Sequence, residues 1–146
     1  MKIEVRKAKT SDFDEIHSLI KEFAAFIKTP ERVLITPEQM LKDKDFFNCL
    51  IALDDRVIIG FATYFIAYYS WSGKAIYLDD LYVVPTFRGL GIGSKLFEHA
   101  IETAKAANCN KLKWQVSYWN NKAIAFYENL GATIDTVEIN CELPIY

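Results

Sequence analysis

A glycine-rich segment between an apolar run and an amphipathic stretch constrains the fold of this chain more than any other feature. The run Ala75–Val84 is rich in Ile, Tyr, Leu and Val, which is typical of a strand, and Pro85 ends it. The segment Arg88–Gly93 follows with glycine at every second position, and an apolar stripe then recurs at helical spacing from Leu96. A strand, a tight loop and a helix in this order predict a fold that alternates strands and helices.

The other elements extend this pattern to the whole chain. Periodicity and capping residues predict the order β, α, α, β, β, β, α, β, α, β. We therefore expect an α/β (α+β) fold, with a mixed central β-sheet of about six to seven strands flanked by about four helices. The last of these elements are a strand at Lys111–Ser117, a helix at Asn120–Leu130, and one or two strands between Thr133 and Ile145.

Composition limits the classes of function. The chain has 146 residues, 51% of them hydrophobic and 25% charged, which predicts a single globular domain, residues 1–146. Its 17 basic and 19 acidic residues leave no broad basic face for nucleic acid. The longest uncharged stretch, residues 57–73, is shorter than the roughly 20 apolar residues of a membrane helix. We expect neither a nucleic acid nor a membrane as partner.

Cysteine and histidine usage predicts a cytoplasmic protein without a metal. The three cysteines, Cys49, Cys109 and Cys141, form no Cys-x-x-Cys motif, so we expect reduced thiols. His17 and His99 lie far apart in the sequence, which leaves a structural zinc site almost without ligands. The start of the chain, Met1–Glu4, enters an alternating pattern directly and does not resemble a signal peptide.

The glycine segment suits a phosphate group. Glycines let the backbone approach a ligand, and the N-terminus of the following helix carries partial positive charge. The spacing fits neither a P-loop, because Gly93-Ser94-Lys95 has the wrong order, nor a dinucleotide fingerprint, because position 94 is serine. From the residues alone, a phosphate or pyrophosphate site and a glycine-rich turn without a ligand both remain open.

Two motifs resemble those of the GNAT family of N-acetyltransferases. Arg88-x-x-Gly91-x-Gly93, after a strand and opening a helix, is similar to the family's acetyl-CoA loop, and the element order agrees over nearly the whole chain. Trp119-Asn120-x-x-Ala123 followed by Tyr127-x-x-x-Gly131 is similar to a second family motif. The stretch Ile76–Val83, preceded by Trp71-x-Gly73-Lys74, and the stretch Leu19–Glu22 are similar to the diamine (spermidine/spermine) branch. The resemblance implies the GNAT fold.

The resemblance also implies how acetyl-CoA binds as cosubstrate. Loop amides would bind the CoA pyrophosphate, the end of the preceding strand would pair with pantetheine, and Asn120 would cap its helix and hydrogen-bond CoA. The implied loop residues are Arg88, Gly89, Leu90, Gly91, Ile92, Gly93 and Ser94. The implied strand residues are Leu81, Tyr82 and Val83.

Catalysis requires a neutral amine, whereas an alkylamine has a pKa of about 10.4. By resemblance, Asp79 contacts the amine and takes its proton through water, Asp80 binds the substrate, and Tyr127 protonates the leaving sulfur. Trp71 lies in a loop immediately before the acidic strand, where it could stack on a cationic or aliphatic substrate or close the core as a rim aromatic. In a regular strand Asp79 and Asp80 face opposite sides, so both reach one pocket only if a bulge intervenes. A surface pair, or an ion pair with Lys74 or Arg88, is the structural alternative. For Tyr127 the alternative is a core aromatic.

The sequence thus predicts an acetyl-CoA-dependent N-acetyltransferase of a small primary amine, acting by direct attack in a ternary complex. A diamine, a polyamine or a lysine-like amino acid is the expected substrate class. Ile27, beside Phe26 and Lys28, stands where the diamine branch carries an acid, which favours a shorter or less charged substrate. The alternatives are a non-catalytic CoA-binding module and an enzyme that modifies a protein Lys or N-terminus. A homodimer is common in the family and is expected here.

Overall fold

The computed structural model describes residues 1–145. The chain divides into two compact units, of which the first is Met1–Trp114 and the second begins at Gln115. The strands are β1 Ile3–Lys7, β2 Asn48–Asp54, β3 Val57–Tyr69, β4 Gly73–Val83 and β5 Leu112–Trp114. The α-helices are α1 Phe13–Phe26, α2 Pro37–Lys42, α3 Ile92–Ala106 and α4 Asn121–Asn129. The described residues contain no helix that is both long and apolar enough to cross a membrane.

The five strands form one mixed sheet in the order β1-β2-β3-β4-β5. Neighbours from β1 to β4 are antiparallel, and β5 is parallel to β4, as the α3 crossover between them requires. The predicted mixed sheet with four helices is confirmed.

The predicted strand count of six to seven was too high. Residues 133–145 form no strand, and β5 ends at Trp114 instead of Ser117. The tail has the alternating apolar pattern of a strand, but its apolar side chains are largely exposed; examples are Val137, Ile139 and Leu143. An alternating pattern produces a strand only where a neighbouring strand pairs with its backbone and a core covers its apolar face. In the tail, the apolar side chains are not covered in this way.

Helices cover both faces of the sheet in the first unit. Phe61 of β3 contacts Phe23 of α1, with ring centroids 6.4 Å apart. A Cβ built on the preceding residue, Gly60, would lie 3.3 Å from Leu96 of α3. Because successive strand residues point to opposite faces, α1 and α3 lie on opposite sides of β3. We call these sides the α1 face and the α3 face.

The starts of α1 and α2 differ in their capping. The Asp12 carboxylate accepts a hydrogen bond from the Lys9 N–H at 2.7 Å and pairs with Arg6 at 2.8 Å, and α1 begins at the next residue. The Thr36 hydroxyl accepts from the Gln39 N–H at 3.2 Å, with Pro37 at the first position of α2. α2 therefore has a side-chain N-cap, whereas no side chain caps the start of α1.

Candidate functional site

A β-bulge in β4 brings Asp79 and Asp80 to the same face of the sheet. Asp80 lies opposite Thr63 of β3, and Leu78 lies opposite Tyr64, so Asp79 has no partner residue in β3. Directly opposed residues share a face. Asp80 therefore lies with Thr63 on the α1 face, Leu78 lies on the α3 face, and Asp79, next to Leu78, returns to the α1 face. The bulge is the irregularity that the sequence required for both acids to reach one pocket.

The bulge opens into a cleft of about 260 Å³ on the α1 face. Both carboxylates line it, beside Thr63, whose hydroxyl accepts a hydrogen bond from the Asp80 N–H at 3.0 Å. The other lining residues come from β2, β3, α1, α2 and the segments around α2. They are Ile20, Ile35, Met40, Phe46, Phe47, Asn48, Tyr64 and Phe65. The cleft therefore combines a carboxylate pair with mainly apolar walls.

The environment of the two acids disfavours their charged forms. Burial, followed by the charge of Asp79, raises the pKa of Asp80 to about 7. Partial desolvation also raises the pKa of Asp79, although this side chain is exposed at the mouth of the cleft. Neither acid has a salt bridge among the described residues. An ammonium ion placed between the two carboxylates would supply the missing positive charge.

The edge of β4 beyond the bulge lacks a neighbouring strand within Met1–Trp114. β5 pairs only with Ile76–Leu78. The Val84 N–H donates to the Ile59 carbonyl at 2.9 Å, so by strand alternation the backbone groups of Leu81 and Val83 point away from β3. The Arg88 Nε donates to the Val83 carbonyl at 2.8 Å, in agreement with that direction. This edge can pair with an extended amide-containing ligand.

Tyr82 differs from its two neighbours in the predicted strand set. Its backbone faces β3, and its buried side chain packs against Phe23 with ring centroids 5.1 Å apart. The Tyr82 hydroxyl donates to Glu22 at 2.6 Å, and burial together with this carboxylate raises the pKa of Tyr82 to about 12. The geometry thus gives Tyr82 a packing position and leaves Leu81 and Val83 at the open edge.

The glycine loop has the conformation that its sequence suggested. Gly89 and Gly91 adopt φ values of +79° and +80°, in the left-handed region that favours glycine. Gly91 is the N-cap of α3, and no side chain caps this helix end. The first backbone bond into the helix is from the Lys95 N–H to the Gly91 carbonyl at 3.0 Å. The preceding N–H groups, from Ile92 to Ser94, therefore lack helical acceptors and can bind an anion.

Arg88 lies over aromatic rings at the start of the loop. Its guanidinium carbon is 4.5 Å from the ring centroid of Phe26 and 5.3 Å from that of Tyr82. Leu90 is exposed in the same loop.

Neither acidic residue of the cleft forms a salt bridge with Arg88 or Lys74, so the ion-pair alternative for Asp79 and Asp80 is not observed in the described residues.

The second predicted motif forms a capped helix in the second unit. The Asn120 side chain accepts a hydrogen bond from the Ala123 N–H at 3.2 Å, as expected for an N-cap. Tyr127 lies two turns further on and is buried, and burial raises its pKa. A phenol with a raised pKa stays protonated at neutral pH, which a proton donor requires.

The structure places Trp71 away from the acids. Trp71 lies in the turn between β3 and β4, it is 100% exposed, and it is not among the residues that line the cleft. Asp79 lies six positions after Gly73 along β4, a span of about 20 Å.

Sequence reasoning missed the walls of the cleft. Met40, Phe46, Phe47 and Thr63 carry no catalytic motif, and Met40 is only 3% exposed. The available sequence signal was Phe46, an apolar residue that follows a charged stretch between α2 and β2. In the structure its side chain is 83% exposed.

Known proteins are similar to this chain over most of its length. Residues 13–132 match the acetyltransferase (GNAT) family. The thialysine N-epsilon-acetyltransferase of Mus musculus is 34% identical over 140 residues, which cover 88% of this chain and 82% of the relative. The spermidine/spermine N(1)-acetyltransferase-like protein 1 of Homo sapiens is 35% identical over 140 residues, covering 88% of this chain and 20% of that protein.

Solved structures agree with the fold. A crystal structure of an aminoglycoside acetyltransferase from an uncultured soil metagenomic sample, in complex with trehalose, superposes with a TM-score of 0.83. The match covers 97% of both chains at 20% sequence identity. At this identity the likeness concerns the fold alone.

Proposed function

Because the chain belongs to the GNAT family of acetyltransferases, we propose that it transfers the acetyl group of acetyl-CoA to the primary amine of a small cation. The family resemblance is confirmed by the match over residues 13–132, and its diamine branch by the two relatives. The observation that carries the proposal is the bulge in β4, which turns Asp79 and Asp80 into one cleft beside an open strand edge. Thialysine-like and polyamine-like amines are both within this class.

The described residues fit acetyl-CoA as cosubstrate. The amides of Ile92, Gly93 and Ser94, at an uncapped helix N-terminus, would bind the pyrophosphate. The backbone groups of Leu81 and Val83 at the open edge would pair with the amides of pantetheine. A Cβ on Gly93 would come no closer than 4.0 Å to another residue, so the loop leaves room beside the helix end. Asn120 would add a hydrogen bond to CoA.

The carboxylate pair would bind and deprotonate the amine. The ammonium first loses a proton towards Asp79 or Asp80, directly or through water. The neutral nitrogen then attacks the thioester carbon, a C–N bond forms and the C–S bond breaks. The nitrogen loses its second proton, and the sulfur leaves as the thiol of CoA after protonation. The net products are the acetamide, free CoA and one proton released to solvent. Asp80, with a pKa of about 7, is suited to accept a proton near neutral pH.

Tyr127 would donate the proton to the leaving sulfur. Its raised pKa keeps the hydroxyl protonated, and its position two turns after Asn120 corresponds to the family motif. We also propose direct transfer in a ternary complex, a single N-acetyltransferase domain over residues 1–146, a cytoplasmic location and a homodimer.

The direct test is release of free thiol from acetyl-CoA with a panel of primary amines at pH 7 and pH 9. Amine-dependent release is expected, and Tyr127→Phe should lower kcat by about 10²-fold, the ordinary contribution of a general acid. Tyr118→Phe is the matched control, because Tyr118 lies in the same unit and is 90% exposed. An unchanged kcat in Tyr127→Phe would remove the proton-donor role.

Two outcomes would replace the proposal. Tight binding of acetyl-CoA by calorimetry, without turnover of any amine, would favour a non-catalytic CoA-binding module. Acetylation of a protein Lys or N-terminus, detected by mass spectrometry in the absence of small-amine turnover, would favour a protein-modifying enzyme.

A further inference from the structure

The lining of the cleft is divided by chemistry and by element. All of its polar residues come from the sheet: Asn48, Thr63, Tyr64, Asp79 and Asp80. All five residues from α1, α2 and the segments around α2 are apolar, and we call them the apolar wall. The apolar wall is Ile20, Ile35, Met40, Phe46 and Phe47. A molecule in this cleft therefore meets charge on one side only.

The carboxylates of the cleft lie at one place. Asp79 and Asp80 are the only lining residues with carboxylates, and they are adjacent in the chain. One ammonium between these neighbouring carboxylates can contact both, and the raised pKa of Asp80, about 7, reduces the negative charge of the pair near neutral pH. A second ammonium of the same molecule would find no carboxylate on the apolar wall. Contact with this wall would remove its hydrating water and provide no hydrogen-bond or ion-pair partner in exchange.

The apolar wall provides a surface for the body of the substrate. Met40 is almost fully buried and is adaptable in shape, whereas Phe46 is 83% exposed at the rim. The volume of about 260 Å³ lies just below that of ordinary ligand sites, which are roughly 300–1,000 Å³, and therefore suits a small substrate. Burial of aliphatic or aromatic carbon against this wall is favourable in proportion to the area removed from water.

We propose that the preferred acceptor is a primary monoamine whose ammonium binds between Asp79 and Asp80 and whose uncharged apolar body packs against the apolar wall. This inference rests on the proposed acetyl transfer and specifies the substrate class for that site. A diamine or polyamine then binds less well, because its distal ammonium must lie against the apolar wall or extend into solvent. The preference agrees with the sequence, which has the apolar Ile27 at the position where the diamine branch carries an acidic residue.

The test compares hexylamine with 1,5-diaminopentane in the thiol-release assay. These amines have chains of equal length and differ only in a terminal methyl or ammonium group. We expect kcat/KM to be at least tenfold higher for hexylamine, with most of the difference in KM. A ratio below tenfold, or a lysine-like amino acid that outperforms hexylamine, overturns the inference and leaves acetyl transfer standing. Absence of thiol release with every amine overturns the inference together with the proposed function.

A charge introduced into the apolar wall provides an independent test. Ile35→Glu places a carboxylate in the wall at a position that is already 37% exposed, and the Ile35 backbone carbonyl remains bonded to His17 Nε2 at 2.8 Å. This variant should lower the hexylamine-to-diamine ratio by at least tenfold. Leu34→Glu adds the same charge one residue away, outside the cleft lining, and should change the ratio less than about twofold. Equal changes in both variants would contradict a specificity role for the wall.

Discussion

The two halves of β4 belong to one strand, yet they differ in pairing and in burial. The first half, Gly73–Leu78, pairs with β3 on one edge, and its segment Ile76–Leu78 pairs with β5 on the other. Ala75 and Ile76 are 0% exposed. The second half, Asp79–Val83, begins with the bulge, carries two acids on the α1 face, and has no strand on its outer edge within Met1–Trp114. Stability and ligand chemistry are thus separated along one strand.

The difference shows what the bulge does. Without it, the strand would place one of two adjacent acids on the α3 face, among buried apolar side chains, at a considerable desolvation cost. With the bulge, both acids share a cleft. Even-numbered residues of β4 point to the α3 face before the bulge and to the α1 face after it, so that Tyr82 reaches the α1 face. One extra residue therefore creates the carboxylate pair and keeps the core intact on both sides.

The largest expected effect is the loss of activity when the carboxylates of the second half are removed. The double variant Asp79→Asn/Asp80→Asn keeps the side-chain shapes but cannot bind an ammonium or accept its proton, so kcat/KM should fall about 10³-fold, within the usual range for acid–base groups. Steady-state thiol release measures this. Asp55→Asn, in the exposed turn between β2 and β3, is the control. Retention of activity in the double variant would remove the second half of β4 from the chemistry.

The first half should respond in stability instead. Ile76→Ala deletes a side chain that is 0% exposed, between two paired strands, and should lower the free energy of unfolding by about 2–5 kcal/mol. Urea denaturation followed by circular dichroism measures this loss. The folded fraction should retain kcat/KM within a few fold. A variant of full stability and low activity would contradict the separation between the two halves.

Stability against pH gives a smaller effect of the second half. Because burial in the folded protein raises the pKa of Asp80 to about 7 from its ordinary value of 3.8, protonation of Asp80 stabilises the fold. This contribution is complete below pH 4 and is lost as the pH rises through 7, because ionisation then occurs in the buried site. The stability gained by Asp80→Asn relative to the wild type should therefore increase from pH 4 to pH 8, by on the order of 2 kcal/mol. Urea titrations at the two pH values measure the difference. If the stability gained by Asp80→Asn instead decreases towards pH 8, the pKa of Asp80 is not raised by folding.

The sequence predicted what depends on local pattern. The helix cap at Thr36, the left-handed glycines of the loop and the acids of β4 all follow from residue type and spacing. The bulge was recognised as a requirement but could not be located, because its register depends on which β3 residue lies opposite Asp80. The apolar wall was not predictable either, since it combines residues from α1, α2 and β2-adjacent chain that are distant in sequence. The tail shows the converse, a strand pattern without a partner strand.

The smallest expected effect concerns Trp71, for which sequence position and geometry lead to different expectations. Its place before the acidic strand suggested that Trp71 stacks on the substrate or closes the core, whereas in this structure it is fully exposed in the turn that precedes β4, about 20 Å along the strand from Asp79. Trp71→Ala should therefore change kcat/KM for hexylamine less than about twofold and the stability by less than about 0.5 kcal/mol, as for an exposed position without partners in the core. The amine assay and urea denaturation measure both quantities. A rise in KM for the amine of tenfold or more, with the KM for acetyl-CoA unchanged, would assign Trp71 to the substrate site and would extend that site beyond the second half of the strand.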